Sequence, residues 1–292
     1  MIVCSKINLL LNVLNRRADG YHELDTIFYP LQNPADVLTV DFHGDSTEKV
    51  TIQCDTPGVP LDPASNLCGK AVYAYCKAAK IPVPACTIHL EKHIPCAGGM
   101  GGGSSDCAAV LQLLQEKFAL LTDVQLAETA LSLGADVPFF LRRTPSRAGG
   151  VGEKLTSLEN IPEDLPILLA ASDFPISAKW AYQQWQPSYA FPADQSEKLI
   201  AALQKKDLET AARYIGNSLA FAAFRKFPLL QRIKNEFYKS GALCAELSGS
   251  GPTIFSLYPS MDAAEEAKKY LINKLPSVRF FGGRKQERTV DL

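Results

Sequence analysis

Pro95-Cys96-Ala97-Gly98-Gly99-Met100-Gly101-Gly102-Gly103-Ser104-Ser105-Asp106 is the stretch on which the reading of this chain turns. Glycine has no Cβ, so backbone amides in such a run can close on an anion without steric obstruction. Before the stretch, Cys86 to Ile94 reads as a strand; after it, Cys107, Val110, Leu111, Leu114 and Phe118 fall at helical spacing. A strand that leads through glycines into a helix places unpaired N–H groups and a partial positive charge at the helix start. A polyphosphate is the ligand that such a segment suits. On composition alone, the same residues also describe a flexible turn with a serine N-cap. The stretch is not a Walker loop, because no Gly-Lys-Ser/Thr follows, and it does not fit G-x-G-x-x-G. Ser104 and Ser105 can cap the helix, bind phosphate or reach a magnesium ion held by a nucleotide.

Outward from that segment, strand and helix signals alternate. Ser5, Ile7, Leu9, Leu11 and Val13 alternate with Lys6, Asn8 and Asn12, the period of a strand with one apolar face and the three polar residues on the other. Arg17 to Gly20 reads as a turn, Tyr21 to Leu31 as the returning strand, and Val37 to Phe42 and Val50 to Gln53 as further short strands. Ser65 is expected to cap a helix reaching Lys80. Thr122 and Gln125 form a capping-box signature, with Gly134 suited to that helix's end. Pro138 favours extended backbone just before it, so Asp136 is expected to leave the preceding helix. Thr144 to Gly152 mixes Pro, Ser and Gly and is expected to divide a domain of residues 1–150 from one of 151–292.

In the second half, Ile167 to Ala171 reads as a strand, followed by mainly helical sequence through Tyr214. Pro228 suits the first turn of a helix with the stripe Leu230, Ile233 and Phe237, closed by Gly241. Strands at Leu243 to Leu247 and Thr253 to Tyr258, a helix capped by Ser260, and a strand at Val278 to Phe281 complete an α+β arrangement.

Composition excludes several functions. The 30 basic and 31 acidic residues leave no electrostatic footprint for nucleic acid. Lys6, Asn8 and Asn12 interrupt the apolar start that a signal peptide needs, and no run is long enough to span a bilayer. The eight cysteines contain no C-x-x-C pair, as expected of reduced, mostly buried thiols in a cytoplasmic protein without a zinc site. His89, Glu91 and His93 share a strand face, but that spacing better fits a solvated face than a metal centre.

The glycine segment resembles the second motif of the GHMP small-molecule kinases, usually Pro-x-x-x-Gly-Leu-Gly-Ser-Ser-Ala, with Met100 in place of the leucine and extra glycines before Ser104. Four other segments, in the same order as in that family, are similar to its motifs: Lys6 to Leu9, Arg16 to His22, Gly134 to Phe140 and Leu247 to Thr253. The longer glycine form resembles a branch acting on a cytidine-diphosphate-linked polyol. The resemblance implies a two-domain fold, ribosomal-S5-like at the N-terminus and ferredoxin-like at the C-terminus. It also implies ATP and Mg²⁺ as cofactors and a small-molecule substrate; a monomer or a weak dimer is compatible with it. By the same resemblance, Lys6 and Asp136 are catalytic, and Pro95, Cys96, Ala97, Gly98, Gly99, Met100, Gly101, Gly102, Gly103, Ser104 and Ser105 bind the nucleotide. Asn8, Tyr21, His22 and Tyr182 fall on the substrate, although Ser177-Ala178 near Tyr182 departs from the branch's common Ser-Thr.

These roles are physically coherent. Phosphoryl transfer asks the protein mainly for positioning and charge neutralisation. Asp136 can accept or orient the hydroxyl proton, and Lys6 can hold that carboxylate and offset phosphate charge. Tyr21 and His22 offer a stacking face and a hydrogen-bonding edge to a cytosine ring. Two other readings stand beside this one: a related kinase for mevalonate, homoserine or a sugar, and a nucleotide-binding regulator without turnover. The presence of both Lys6 and Asp136 argues against the regulator.

Overall fold

The fold was established from a computed structural model, which describes residues 1–43 and 50–282. The chain begins with β1 (Ile2–Arg16), β2 (His22–Phe42), β3 (Val50–Gln53), α1 (Leu67–Ala79), β4 (Cys86–Glu91), α2 (Gly102–Phe118), α3 (Asp123–Leu133), α4 (Val137–Arg142), β5 (Ser146–Gly149) and β6 (Lys154–Ser157). It continues through β7 (Ile167–Ala171), α5 (Ala178–Gln183), α6 (Gln195–Gln204), α7 (Leu208–Tyr214), β8 (Gly216–Asn217), α8 (Ala220–Lys226), α9 (Pro228–Lys239), β9 (Cys244–Leu247), β10 (Ile254–Leu257), α10 (Met261–Lys274) and β11 (Arg279–Gly282). The class is α+β, as the sequence suggested.

Two compact units share these elements: a first of Met1–Ile7, Phe28–Cys96 and Met100–Ser157, and a second of Asn8–Ile27, Ala97–Gly99 and Leu158–Leu292. In the first unit, β4 pairs antiparallel with β2 and parallel with β3, β1 lies next to β2, and β5 joins β2 and β6. Helices α1 to α4 pack on one another, and Val72, Tyr75, Leu111, Leu114, Phe139 and Phe140 fill the core with Val3, Leu38 and Ile88 from the strands. In the second unit the sheet order is β11-β7-β10-β9, all antiparallel. The predicted stripe of α9, Leu230, Ile233 and Phe237, is fully buried and packs with Leu247 and Ile254.

Differences from the sequence reading have local causes. The two strands expected at residues 21–31 and 37–42 are one, β2, because side-chain bonds fasten the turn-like middle into the sheet: Ser5 Oγ donates to the Pro34 carbonyl at 2.8 Å, and Asp36 takes the N–H groups of His93 and Ile94. The cap of α1 is Asn66, not Ser65; its side chain accepts from the Cys68 N–H at 2.8 Å. Thr144 to Gly152 carries β5 and the turn toward β6. The capping box at Thr122 and the caps by Gly134 and Ser260 stand where they were read. Among the described residues, no helix is long and apolar enough to cross a membrane.

Candidate active site

Lys6, Asp136 and Met100–Ser105 lie in the first unit. The Lys6 side chain is only 5% exposed; its ammonium sits 3.4 Å from Asp136 Oδ2 and 4.7 Å from the centre of the Phe28 ring. Carboxylate and aromatic face together offset the cost of burying the cation. Asp136 has left α3, as expected, but it precedes α4 with helical torsions, φ −83° and ψ −16°. The reason is that Pro138 falls in the first turn of α4, where no N–H is needed. The Asp136 side chain does not cap α4, which leaves the carboxylate, 35% exposed, turned to Lys6.

Met100 and Gly101 run directly beside Lys6. The Lys6 N–H donates to the Met100 carbonyl at 3.0 Å. Gly101, at φ 71°, forms the N-cap of α2 without a side-chain bond. A Cβ on Gly101 would lie 2.7 Å from the Phe140 ring and 3.3 Å from Lys6 Cε, so the backbone here packs as only glycine can. Gly102, Gly103 and Ser104 follow as the first helical residues, whose N–H groups have no helical carbonyl to reach. That end of α2 is therefore a ready anion site next to an ammonium. Ser105 does not cap it: it is fully buried, and its Oγ donates to the Cys4 carbonyl at 2.6 Å. Ser104 is partly exposed, as are Gly101 and Gly102; Pro95 is buried and Cys96 exposed.

Ala97–Gly99 belongs to the second unit, where the turn after β9 holds it. Ser248 Oγ donates to the Gly99 carbonyl at 2.9 Å and the Thr253 N–H to the Gly98 carbonyl at 3.3 Å. A Cβ on Gly99 would sit 2.1 Å from the Ser248 carbonyl oxygen. Two small-residue turns thus pack backbone to backbone, and Asn217 braces the second by donating to the Leu247 and Gly249 carbonyls at 2.7 Å each.

The residues assigned to the substrate also lie in this unit. His22 stacks on Tyr182 with ring centres 5.2 Å apart and meets Trp185 edge-on at 5.6 Å. Burial, with a smaller contribution from Arg16, lowers the His22 pKa from its ordinary value, so near neutral pH the ring keeps one donor and one acceptor. Ser177 caps α5 by accepting from the Trp180 N–H at 3.3 Å, which fixes the helix carrying Tyr182. Tyr21 is 65% exposed. Asn8 is buried, its Nδ2 donating to Thr26 Oγ1 at 2.8 Å.

Several neighbours carried no sequence signal. Phe28 lies under Lys6, Trp185 beside His22, and Gly152, at φ 113°, lies where a Cβ would be 3.9 Å from Asp136 Oδ1. Asp36, Lys92 and Asp106 form a buried ionic cluster at the ends of the glycine segment. Only Asp106, inside the quoted motif, stood where sequence could have found it.

Comparison with known proteins identifies the family. Residues 66–143 match the family described as GHMP kinases N terminal domain, and residues 199–277 match GHMP kinases C terminal. A 4-diphosphocytidyl-2-C-methyl-D-erythritol kinase of Bacteroides fragilis is 35% identical over 255 residues, covering 87% of this chain and 90% of that protein. The kinase of the same name from Solidesulfovibrio magneticus is 35% identical over 276 residues, covering 93% and 92%. A crystal structure of 4-(cytidine 5'-diphospho)-2C-methyl-D-erythritol kinase superposes with a TM-score of 0.80 at 33% identity over 97% of this chain and 99% of that one. Homoserine kinase from Cytophaga hutchinsonii shares the fold, with a TM-score of 0.74 at 18% identity over 97% and 93%. With its Lys6–Asp136 pair, its glycine-capped α2 and relatives of this closeness along most of its length, the chain belongs to the GHMP kinases, in the 4-diphosphocytidyl-2-C-methyl-D-erythritol kinase family.

Proposed function

We propose that the chain transfers the γ-phosphate of ATP to the 2-hydroxyl of 4-diphosphocytidyl-2-C-methyl-D-erythritol, giving the 2-phosphate and ADP, as a cytoplasmic step of non-mevalonate isoprenoid synthesis. The observation that carries the reading is the Lys6–Asp136 pair, 3.4 Å apart, against a glycine segment whose helix leaves its first N–H groups unspent. The segment 95 to 105 holds the phosphates through the backbone N–H groups between Pro95 and Ser105 and the positive end of α2. Lys6 fixes the Asp136 carboxylate and offsets charge on the phosphate in transit, while Asp136 orients the substrate hydroxyl or accepts its proton. His22 and Tyr182, with Tyr21 beside them, supply stacking faces and a hydrogen-bonding edge for cytosine, and Asn8 supports the substrate from β1.

Among the described residues, no group of three or more His, Cys, Asp or Glu side chains could hold a metal. Mg²⁺ would therefore enter on the nucleotide and be held chiefly through its phosphates, with Ser104 in the first turn of α2 as a hydroxyl able to reach it. Bound there, the ion would neutralise charge on the β- and γ-phosphates.

The test is ADP release by the purified chain with Mg-ATP and each of four alcohols: the cytidine-linked substrate, mevalonate, homoserine and galactose. Turnover of the cytidine-linked alcohol is expected, and Asp136→Asn and Lys6→Ala are expected to lower kcat by at least about 100-fold while Mg-ATP still binds. Selective turnover of another alcohol would move the chain to another substrate. ATP binding without turnover of any would make it a regulator.

A further inference from the structure

Asp36 is fully buried, and its Oδ1 accepts the N–H groups of His93 at 2.6 Å and Ile94 at 2.8 Å, the last two residues before Pro95. Its Oδ2 receives the Lys92 ammonium. That ammonium, on a side chain 5% exposed, also donates to Asp106 Oδ2 at 2.6 Å. Asp106 belongs to the second turn of α2, so one cation ties the chain entering the glycine segment to the helix leaving it. A Cβ on Gly102 would come within 3.3 Å of Lys92 Nζ and 3.0 Å of Ile94 Cγ2, which places the tie against the first helical residue.

One cation cannot neutralise two carboxylates. Asp36, with two N–H donors besides, is the better satisfied; Asp106 Oδ1 is buried without a hydrogen-bond partner. Burial, aided by Asp36 and opposed by Lys92, pushes the Asp106 carboxyl up to about 7. Burial also works against the Lys92 ammonium, but Asp106 and Asp36 override it and hold its pKa above the usual range. Cys68 and Cys107, which feel the charge of Asp106, are thiols that burial keeps neutral. A buried ionic cluster adds little stability over apolar packing of the same volume, while displacing any one member is costly; what it supplies is fixed geometry.

Resting on the reading of residues 95 to 105 as the phosphate cradle, we propose that Lys92 staples the two ends of that segment together through Asp36 and Asp106, making these three side chains positioning residues for the nucleotide. The staple sets where the first N–H groups of α2 point, and with them the phosphates. Its loss loosens ATP binding before it touches the transfer step.

The experiment measures Mg-ATP dissociation constants and kcat at saturating ATP for the full chain between pH about 6 and about 8.5. Lys92→Met and Asp106→Ala are expected to raise Kd for Mg-ATP about tenfold and leave kcat within about twofold. In the wild type, Kd is expected to rise as pH falls through about 7 and Asp106 takes a proton, weakening its bond to Lys92. Asp106→Asn, uncharged like the protonated carboxyl, is expected to show at every pH the raised Kd that the wild type shows only at low pH, and so a flat pH profile. Unchanged Kd in the first two variants, with only a lowered Tm, would reduce the cluster to a fold support and overturn the proposal. Should those variants not fold, Asp106→Asn decides: a pH profile identical to the wild type's also overturns it. A wild type that binds no Mg-ATP sinks the cradle reading itself, whereas tight wild-type binding with unaffected variants sinks the staple alone.

Discussion

Gly101 and Gly103 look alike in sequence and are held by different forces. At Gly101 the fold itself demands glycine: φ is 71°, and a Cβ would press to 2.7 Å on the Phe140 ring. Gly103 has ordinary helical backbone, and the nearest atom to an added Cβ is Leu67 Cδ1 at 3.7 Å, an ordinary contact. Glycine inside a helix costs roughly 0.5–1 kcal/mol relative to alanine, so the fold has no use for it there, whereas the proposed approach of phosphate to the backbone would. Gly101→Ala is therefore expected to lose about 1–3 kcal/mol in denaturant unfolding. Gly103→Ala is expected to hold or gain stability while binding Mg-ATP more weakly. If Gly103→Ala bound ATP as the wild type does, the phosphates do not lie over that residue.

At the scale of elements, periodicity and end signals were legible, and burial was not. The stripe of α9 could be read from Leu230, Ile233 and Phe237 because helical spacing records which face is apolar, and all three are fully buried. Ile233→Ala should accordingly cost about 2–5 kcal/mol in urea unfolding, against about 0.5 or less for its exposed neighbour Arg232→Ala. A loss below about 1 kcal/mol at Ile233 would mean that the α9 contact is loose. In β1 the alternation was equally clear, yet the face with Lys6, Asn8 and Asn12 is as buried as the apolar one. Those side chains are satisfied by partners far along the chain: Asp136 for Lys6, Thr26 for Asn8, and the Phe191 backbone for Asn12. Strand period registers residue type and not the partners that make a polar face tolerable in a core. α8 escaped notice for a related reason, being seven residues long with only Ala220 and Ala223 buried. The motif order made Lys6 and Asp136 legible as a pair, while Phe28, Trp185 and the Lys92 cluster could be found only once the chain was folded.

Across the whole molecule, the two units are interleaved along the chain: Asn8–Ile27 and Ala97–Gly99 interrupt the first unit and belong to the second. A turn-rich stretch such as Thr144 to Gly152 carries no sign of this, because composition marks where chain can bend and not which residues it packs with. The consequence is physical. Leu11, Val13 and Leu24 form a buried cluster with Ala181 and Leu219; Leu10 and Leu11 pair with Gly216 and Asn217; and Asp25 accepts from Ser196 Oγ at 2.6 Å. A fragment of residues 158–292 keeps the four-stranded sheet and loses every one of these partners, exposing the far side of each to water. Because each buried apolar side chain contributes about 1.5–3 kcal/mol and a domain's net stability is only about 5–15 kcal/mol, losing three of them with their hydrogen bonds removes most of the margin. The fragment alone is expected to show no cooperative thermal transition, with secondary structure but collapsed amide dispersion in NMR, and co-expression with residues 1–157 is expected to restore a single sharp transition. A sharp transition for 158–292 by itself would show that its own sheet and helices suffice, and that the β1–β2 hairpin is added to a unit already able to stand.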